Sequence, residues 1–168
     1  MADRKKALET AIKLEEDGKE FYLKSAEKAS KTFANDIFKY LAEVEDKHIE
    51  VAKSIYDNLK SDDKWPKLVI PPEKEIDIIS IFPKDLDIAG ETVSGIIEAL
   101  DVGISMEEKS IKFYDELSEK ATDPFEKRFY ITLSREERGH YLVLTDSKDY
   151  IEDPAGWFNL REGFRLDG

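Results

Sequence analysis

The second half of this chain lies on the first when the sequence is shifted by 92 positions, and no gap is needed. Leu8 then falls on Leu100, Ile12 on Ile104, Glu15-Glu16 on Glu107-Glu108, and Phe21-Tyr22 on Phe113-Tyr114. Further along, Glu27-Lys28-Ala29 falls on Glu119-Lys120-Ala121, Phe33 on Phe125 and Leu41 on Leu133. Amphipathic helices share a period of 3.6, but a shared period does not reproduce Phe-Tyr pairs and two Glu-x-x-His units in one register. A chain of 168 residues built this way is expected to fold as one domain, residues 1–168, made of two equivalent halves.

Each half reads as a helix pair. In the first, residues 3–30 place Leu8, Ala11, Ile12, Gly18, Tyr22 and Ala26 at helical spacing, with Asp3 available as a cap. Residues 34–59 then align Ile37, Leu41, Val44, His48, Val51 and Ile55. In the second half, residues 91–120 carry Ile97, Leu100, Ile104, Ile111 and Tyr114. The last long helix opens on Asp123-Pro124-Phe125-Glu126, an N-cap, a first-turn proline and a glutamate placed to close a capping box, and runs to about 151. The helix pairs therefore span 3–59 and 91–151.

The stretch 60–90 between them holds Pro66, Pro71, Pro72 and Pro83, four of the six prolines. So long a connection suits a crossover running the length of a bundle, which makes the second and third long helices parallel. Within it, Ile76 to Phe82 suits either a short strand or a flap on the bundle. The tail 152–168 carries Trp157, Phe158 and Phe164 around Arg161 and Glu162; folding back over the bundle is expected, with a dimer contact as the alternative.

The composition narrows the chemistry. A formal charge of −12 argues against nucleic acid as the main partner, because phosphate binding needs clustered Lys and Arg. With no cysteine, thiolate nucleophiles, disulfides and Cys-ligated zinc or iron–sulfur centres are excluded from this chain. There is no apolar run long enough to span a bilayer, and Met1 to Lys6 does not lead into a signal segment, so a cytoplasmic protein is expected.

The only two histidines, His48 and His140, each follow a glutamate by three residues, Glu45 and Glu137. Residues i and i+3 share a helix face, so each pair can address one metal region. Glu15 and Glu107 fall on the inward stripes of the other two helices. Buried carboxylates are costly unless paired or metal-bound, and two divalent cations would cancel four of them. One Glu from each of two helices plus Glu-x-x-His from the other two is the ligand pattern of dimetal centres in helix bundles. By that pattern Glu45 and Glu137 bridge the metals, Glu15 and His48 complete one, and Glu107 and His140 complete the other. Such oxygen and imidazole ligands suit Fe(II), Mn(II) or Zn(II). Tyr22 and Tyr114, seven residues past Glu15 and Glu107, read first as core aromatics and second as phenols hydrogen-bonded to a metal ligand. Glu16, Glu43, Asp46, Glu108 and Glu136 read as surface groups or as groups outside the ligand set.

Leu14-Glu15-Glu16-Asp17-Gly18-Lys19-Glu20-Phe21-Tyr22, Leu41-Ala42-Glu43-Val44-Glu45-Asp46-Lys47-His48 and their counterparts around Glu107 and Glu137 resemble the rubrerythrin-like branch of the ferritin-like superfamily, over residues 5–150. The resemblance implies an all-α, ferritin-like antiparallel four-helix bundle with a di-iron centre, a homodimer, and reactions with O2 or peroxide. Glu45, Glu137, Tyr22 and Tyr114 would then be the catalytic residues, and the metals would be two iron ions. The chain departs from that pattern twice. Rubrerythrins carry a cysteine-ligated rubredoxin site, absent here, so an external redox donor protein would supply electrons. They also carry a further carboxylate ligand where this chain has Ser110, whose repeat partner is Gly18. That weighs against efficient peroxide reduction and leaves room for a small oxidant. The expected function is a di-iron oxidoreductase of peroxidase or ferroxidase type. The alternatives are a non-catalytic metal-binding or storage protein, or a structural helical dimer that has lost its metal.

Overall fold

The computed structural model describes residues 2–67, 70, 73 and 76–166. Among these residues six helices follow one another: α1 (Ala2–Lys28), α2 (Phe33–Ser61), α3 (Ile78–Ile81), α4 (Gly90–Lys120), α5 (Pro124–Glu152) and α6 (Pro154–Leu166). There is no strand among the described residues; the segment Ile76 to Phe82 packs on the bundle through Ile78 and Phe82, as a flap would, and contains a single helical turn, α3. The apolar stripes dictate the packing. α1 pairs with α2 and α4 with α5, and the two hairpins close on each other through α1 against α4 and α2 against α5. Arg4 of α1 meets Glu126 of α5 at 2.6 Å, while Tyr22 of α1 meets Glu107 of α4, so α1 runs with α5 and against α4. The result is an all-α bundle with a long crossover after its second helix. None of its helices is long and apolar enough to cross a membrane, among the described residues.

The sequence repeat reappears as matched packing. Tyr22 stacks on Phe38 with ring centroids 6.2 Å apart, and their repeat partners Tyr114 and Tyr130 stack at the same 6.2 Å. Phe21 meets Tyr22 edge-on at 5.5 Å, and Phe113 meets Tyr114 at 5.3 Å. Two apolar clusters form, one at each end of the bundle. One gathers Tyr22, Phe38, Leu41, Leu100 and Leu144; the other gathers Leu8, Ile55, Tyr114, Tyr130 and Leu133. Burying side chains of this size is worth about 1.5–3 kcal/mol each. On every long helix the candidate ligands lie between the residues given to the two clusters, so the apolar layers seal them from above and below.

The caps differ from expectation in two places. Asp3 lies inside the first turn of α1 instead of preceding it. Asp123 does cap α5, accepting from the backbone N–H of Phe125 at 2.8 Å and Glu126 at 3.2 Å. The Glu126 side chain, however, pairs with Arg4 and not with the cap backbone. The long-range ion pair takes the carboxylate because it is charge-assisted.

The tail folds back as the helix α6, where Trp157 packs against Phe82 at 4.9 Å and Tyr150 at 5.8 Å. Trp65, exactly one repeat earlier by number, packs on Phe129 and Tyr130 at the other end. The side chain of Phe164 and residues Pro71 and Pro72 lie outside the described residues.

Candidate metal centre

Glu15, Glu45, His48, Glu107, Glu137 and His140 are all buried, each 3% exposed or less, in the middle of the bundle. Their ligand atoms fall into two overlapping groups. Glu15, Glu45, His48 and Glu137 form one; Glu45, Glu107, Glu137 and His140 form the other. Glu45 and Glu137 belong to both, the placement that bridging ligands would need. The sharing follows from the fold, because α2 and α5 run antiparallel and bring their Glu-x-x-His units face to face. The two imidazoles lie almost parallel, 17° apart with centroids 5.8 Å from each other.

The Nδ1 atoms point into the carboxylates. His48 Nδ1 is 3.1 Å from Glu15 and 3.2 Å from Glu137 Oε1. His140 Nδ1 is 3.3 Å from Glu45, 3.5 Å from Glu107 and 3.5 Å from Glu137. Despite these approaches, His140 Nδ1 and Glu137 Oε1 have no hydrogen-bond partner among the described residues. Orphaned buried polar atoms are rare and costly, about 1–3 kcal/mol each. Ligands held about 2.1 Å from one ion stand about 3.0–3.5 Å from each other, so spacing and orphaned atoms alike fit divalent cations.

Electrostatics say the same. Burial, reinforced by the charge on Glu137, pushes the Glu45 and Glu107 carboxyls well above the ordinary carboxylate range. Burial acts on Glu137 in the same sense, but a hydrogen bond from Glu107 and the charge of His140 outweigh it and hold Glu137 well below that range. For the imidazoles burial opposes the charged form. The charge of Glu15 on His48, and of Glu137 on His140, overcomes it and raises both. Glu45 and Glu107 thus tolerate the charge on Glu137 by keeping protons, and metal cations can take the place of those protons.

The tyrosines are core aromatics whose phenols also bond candidate ligands. Tyr22 and Tyr114 are fully buried, and each phenol donates to a carboxylate of the opposite half: Tyr22 to Glu107 at 2.5 Å, Tyr114 to Glu15. Gly18 sits beside Glu45, where an added Cβ would stand 3.6 Å from the carboxyl carbon. Among the acids set apart from the ligands in sequence, Glu136 bonds His48 Nε2 directly.

Sequence reasoning missed one residue entirely. Glu73, on the crossover, lies 3.3 Å from His48 Nε2 and 3.2 Å from His140 Nε2, and accepts from Tyr40 at 3.3 Å. It has no repeat partner and no helical spacing, so no local signal marked it. A cleft of about 270 Å³, lined by Val51, Ile70, Glu73, Glu136 and His48, opens beside this group.

A family model described as Rubrerythrin matches residues 6–148. Among solved structures, the chain is similar to a hypothetical protein from Pyrococcus furiosus, 29% identical over 91% of this chain and 94% of that one, with a TM-score of 0.67. No curated protein matches the chain.

Proposed function

The chain belongs to the rubrerythrin family, and from that premise we propose that it is a non-haem di-iron carboxylate oxidoreductase that reduces hydrogen peroxide or O2 or oxidises Fe(II). The observation that carries this reading is the pair of overlapping ligand groups sharing Glu45 and Glu137, with Glu137 Oε1 and His140 Nδ1 buried and without a hydrogen-bond partner among the described residues. Glu15 and His48 would hold one iron, Glu107 and His140 the other, and Glu45 and Glu137 both. Bound iron supplies electrons by passing between its ferrous and ferric states. The remaining work falls to the chain. Tyr22 and Tyr114 fix the carboxylates of Glu107 and Glu15 through their phenol protons. The apolar layers around Leu41 and Leu133 keep bulk water from the ends of the site. The cleft beside His48 and Glu73 gives a small oxidant a way in. As the chain has no cysteine, a separate donor protein re-reduces the centre. A homodimer in the cytoplasm is part of the same proposal.

Anaerobic titration with Fe(II), followed by peroxide or O2, tests it. Two irons bound per chain and an absorbance change on oxidation are expected. Uptake far from two, or loaded protein that is inert to both oxidants, would reject it.

Non-catalytic holding of iron, manganese or zinc is a second reading. It draws on the near-complete burial of all six side chains and the absence of cysteine from the sequence, which excludes a Cys-ligated iron donor site in this chain. Two tightly held metals with no turnover of either oxidant would decide for it.

A further inference from the structure

The outer nitrogens of the two histidines are not held alike. His48 Nε2 meets Glu136 of α5 at hydrogen-bond distance and Glu73 at 3.3 Å. Among the described residues, both acceptors within hydrogen-bond distance of His140 Nε2 are oxygens of Glu73, at 3.2 and 3.3 Å. The repeat explains the difference, because the position equivalent to Glu136 is Val44, which has no acceptor. An imidazole that offers Nδ1 to a metal carries its proton on Nε2, and the acceptor there fixes both tautomer and ring orientation.

We propose that Glu73 is a positioning residue of the centre: its carboxylate braces His140 alone and His48 jointly with Glu136, so that the crossover sets the strength of one metal position more than the other. This rests on the dimetal reading above. The brace reaches the site from outside the repeat. Two half-sites that are equal in ligands become unequal in support. Tyr40, donating to Glu73 at 3.3 Å, orients the carboxylate in turn.

Partners of this kind typically contribute 10–100-fold to metal affinity. The test is Co(II) titration of wild type, Glu73→Ala and Glu73→Gln, with imidazole NMR of each protein both metal-free and loaded. Wild type is expected to take two equivalents. Glu73→Ala should turn biphasic, with one equivalent weakened about 10–100-fold and the other much less. In the metal-free spectra the slowly exchanging Nε2–H signal of His140 should be lost while that of His48 persists. Glu73→Gln keeps an acceptor oxygen and should restore most of both. Glu73→Ala binding two equivalents with wild-type affinity and unchanged imidazole signals would overturn the proposal. So would the loss of a third, outer equivalent with the inner two intact, since Glu73 would then be a ligand of its own cation. If wild type takes up no metal the dimetal reading falls, and the metal-free spectra still decide whether Glu73 holds His140.

Discussion

On one side of the centre, His48 leans on two outer carboxylates, Glu136 and Glu73; on the other, His140 leans on Glu73. The inward parts of the same half-sites are near copies, with Glu15 answered by Glu107, Tyr114 by Tyr22, and both sharing Glu45 and Glu137. The contrast teaches that duplication preserves the inward cluster of acids and imidazoles and relaxes what stands behind it. A ligand must reach a fixed point, whereas a brace can come from any element that passes nearby.

Shared and unshared ligands should separate most widely. Glu137→Ala removes an atom from both groups and is expected to abolish uptake of both metals, whereas His140→Ala should cost one. Elemental analysis of the variants after loading reads this directly, and equal losses from the two would break the distinction.

The next effect is on stability against pH. Glu45, Glu107, His48 and His140 all hold protons more tightly folded than unfolded. Above the ordinary values of about 4.3 for Glu and 6.5 for His the folded state therefore binds more protons, and stability falls as pH rises. Glu137 runs the other way: its contribution is full above the ordinary carboxylate range and fades as pH drops through its lowered value. Between about pH 6 and pH 9 the raised groups decide, so metal-free protein should melt several degrees lower at pH 9. Cations displace the same protons, so the gap between loaded and metal-free melting temperatures should widen over that range. Calorimetry with and without chelator checks both signs.

Glu136→Val writes the residue of the first half into the second and should make the half-sites alike. The weakening expected at the His48 position is about tenfold, from loss of one outer partner. Metal titration that becomes less cooperative at His140 instead would contradict the contact as described.

Smaller still are the phenol contacts. Tyr22→Phe and Tyr114→Phe each remove one buried hydrogen bond and should cost about 1–2 kcal/mol, by matching amounts if the halves are equivalent inside. Chemical denaturation compares them. Smallest is the turn between α1 and α2, where Lys31 adopts a left-handed backbone at φ 67°, a strain without parallel in the Asp123-capped turn of the other half. Lys31→Gly should stabilise by about 0.5 kcal/mol, the relief of that strain less the entropy glycine adds to the unfolded chain.

The sequence by itself determined the four long helices, their pairing in two halves and the inward set of four glutamates and two histidines. These follow from local rules: helical spacing of apolar residues, the i,i+3 geometry of Glu45–His48 and Glu137–His140, and the cost of burying acids without cations. The turn at α3 and the helix α6 were harder to read, since short apolar segments suit several conformations until the bundle gives them a surface. Which acids stand behind the histidines was decided only by the tertiary structure. Glu136 read equally as a surface group or as one standing behind a ligand, and Glu73 lay in a proline-rich connection with no period at all. Their role depends on distances across 88 and 67 residues of chain, to His48 and His140 respectively, and contacts that long are set by how helices pack and not by any spacing along them.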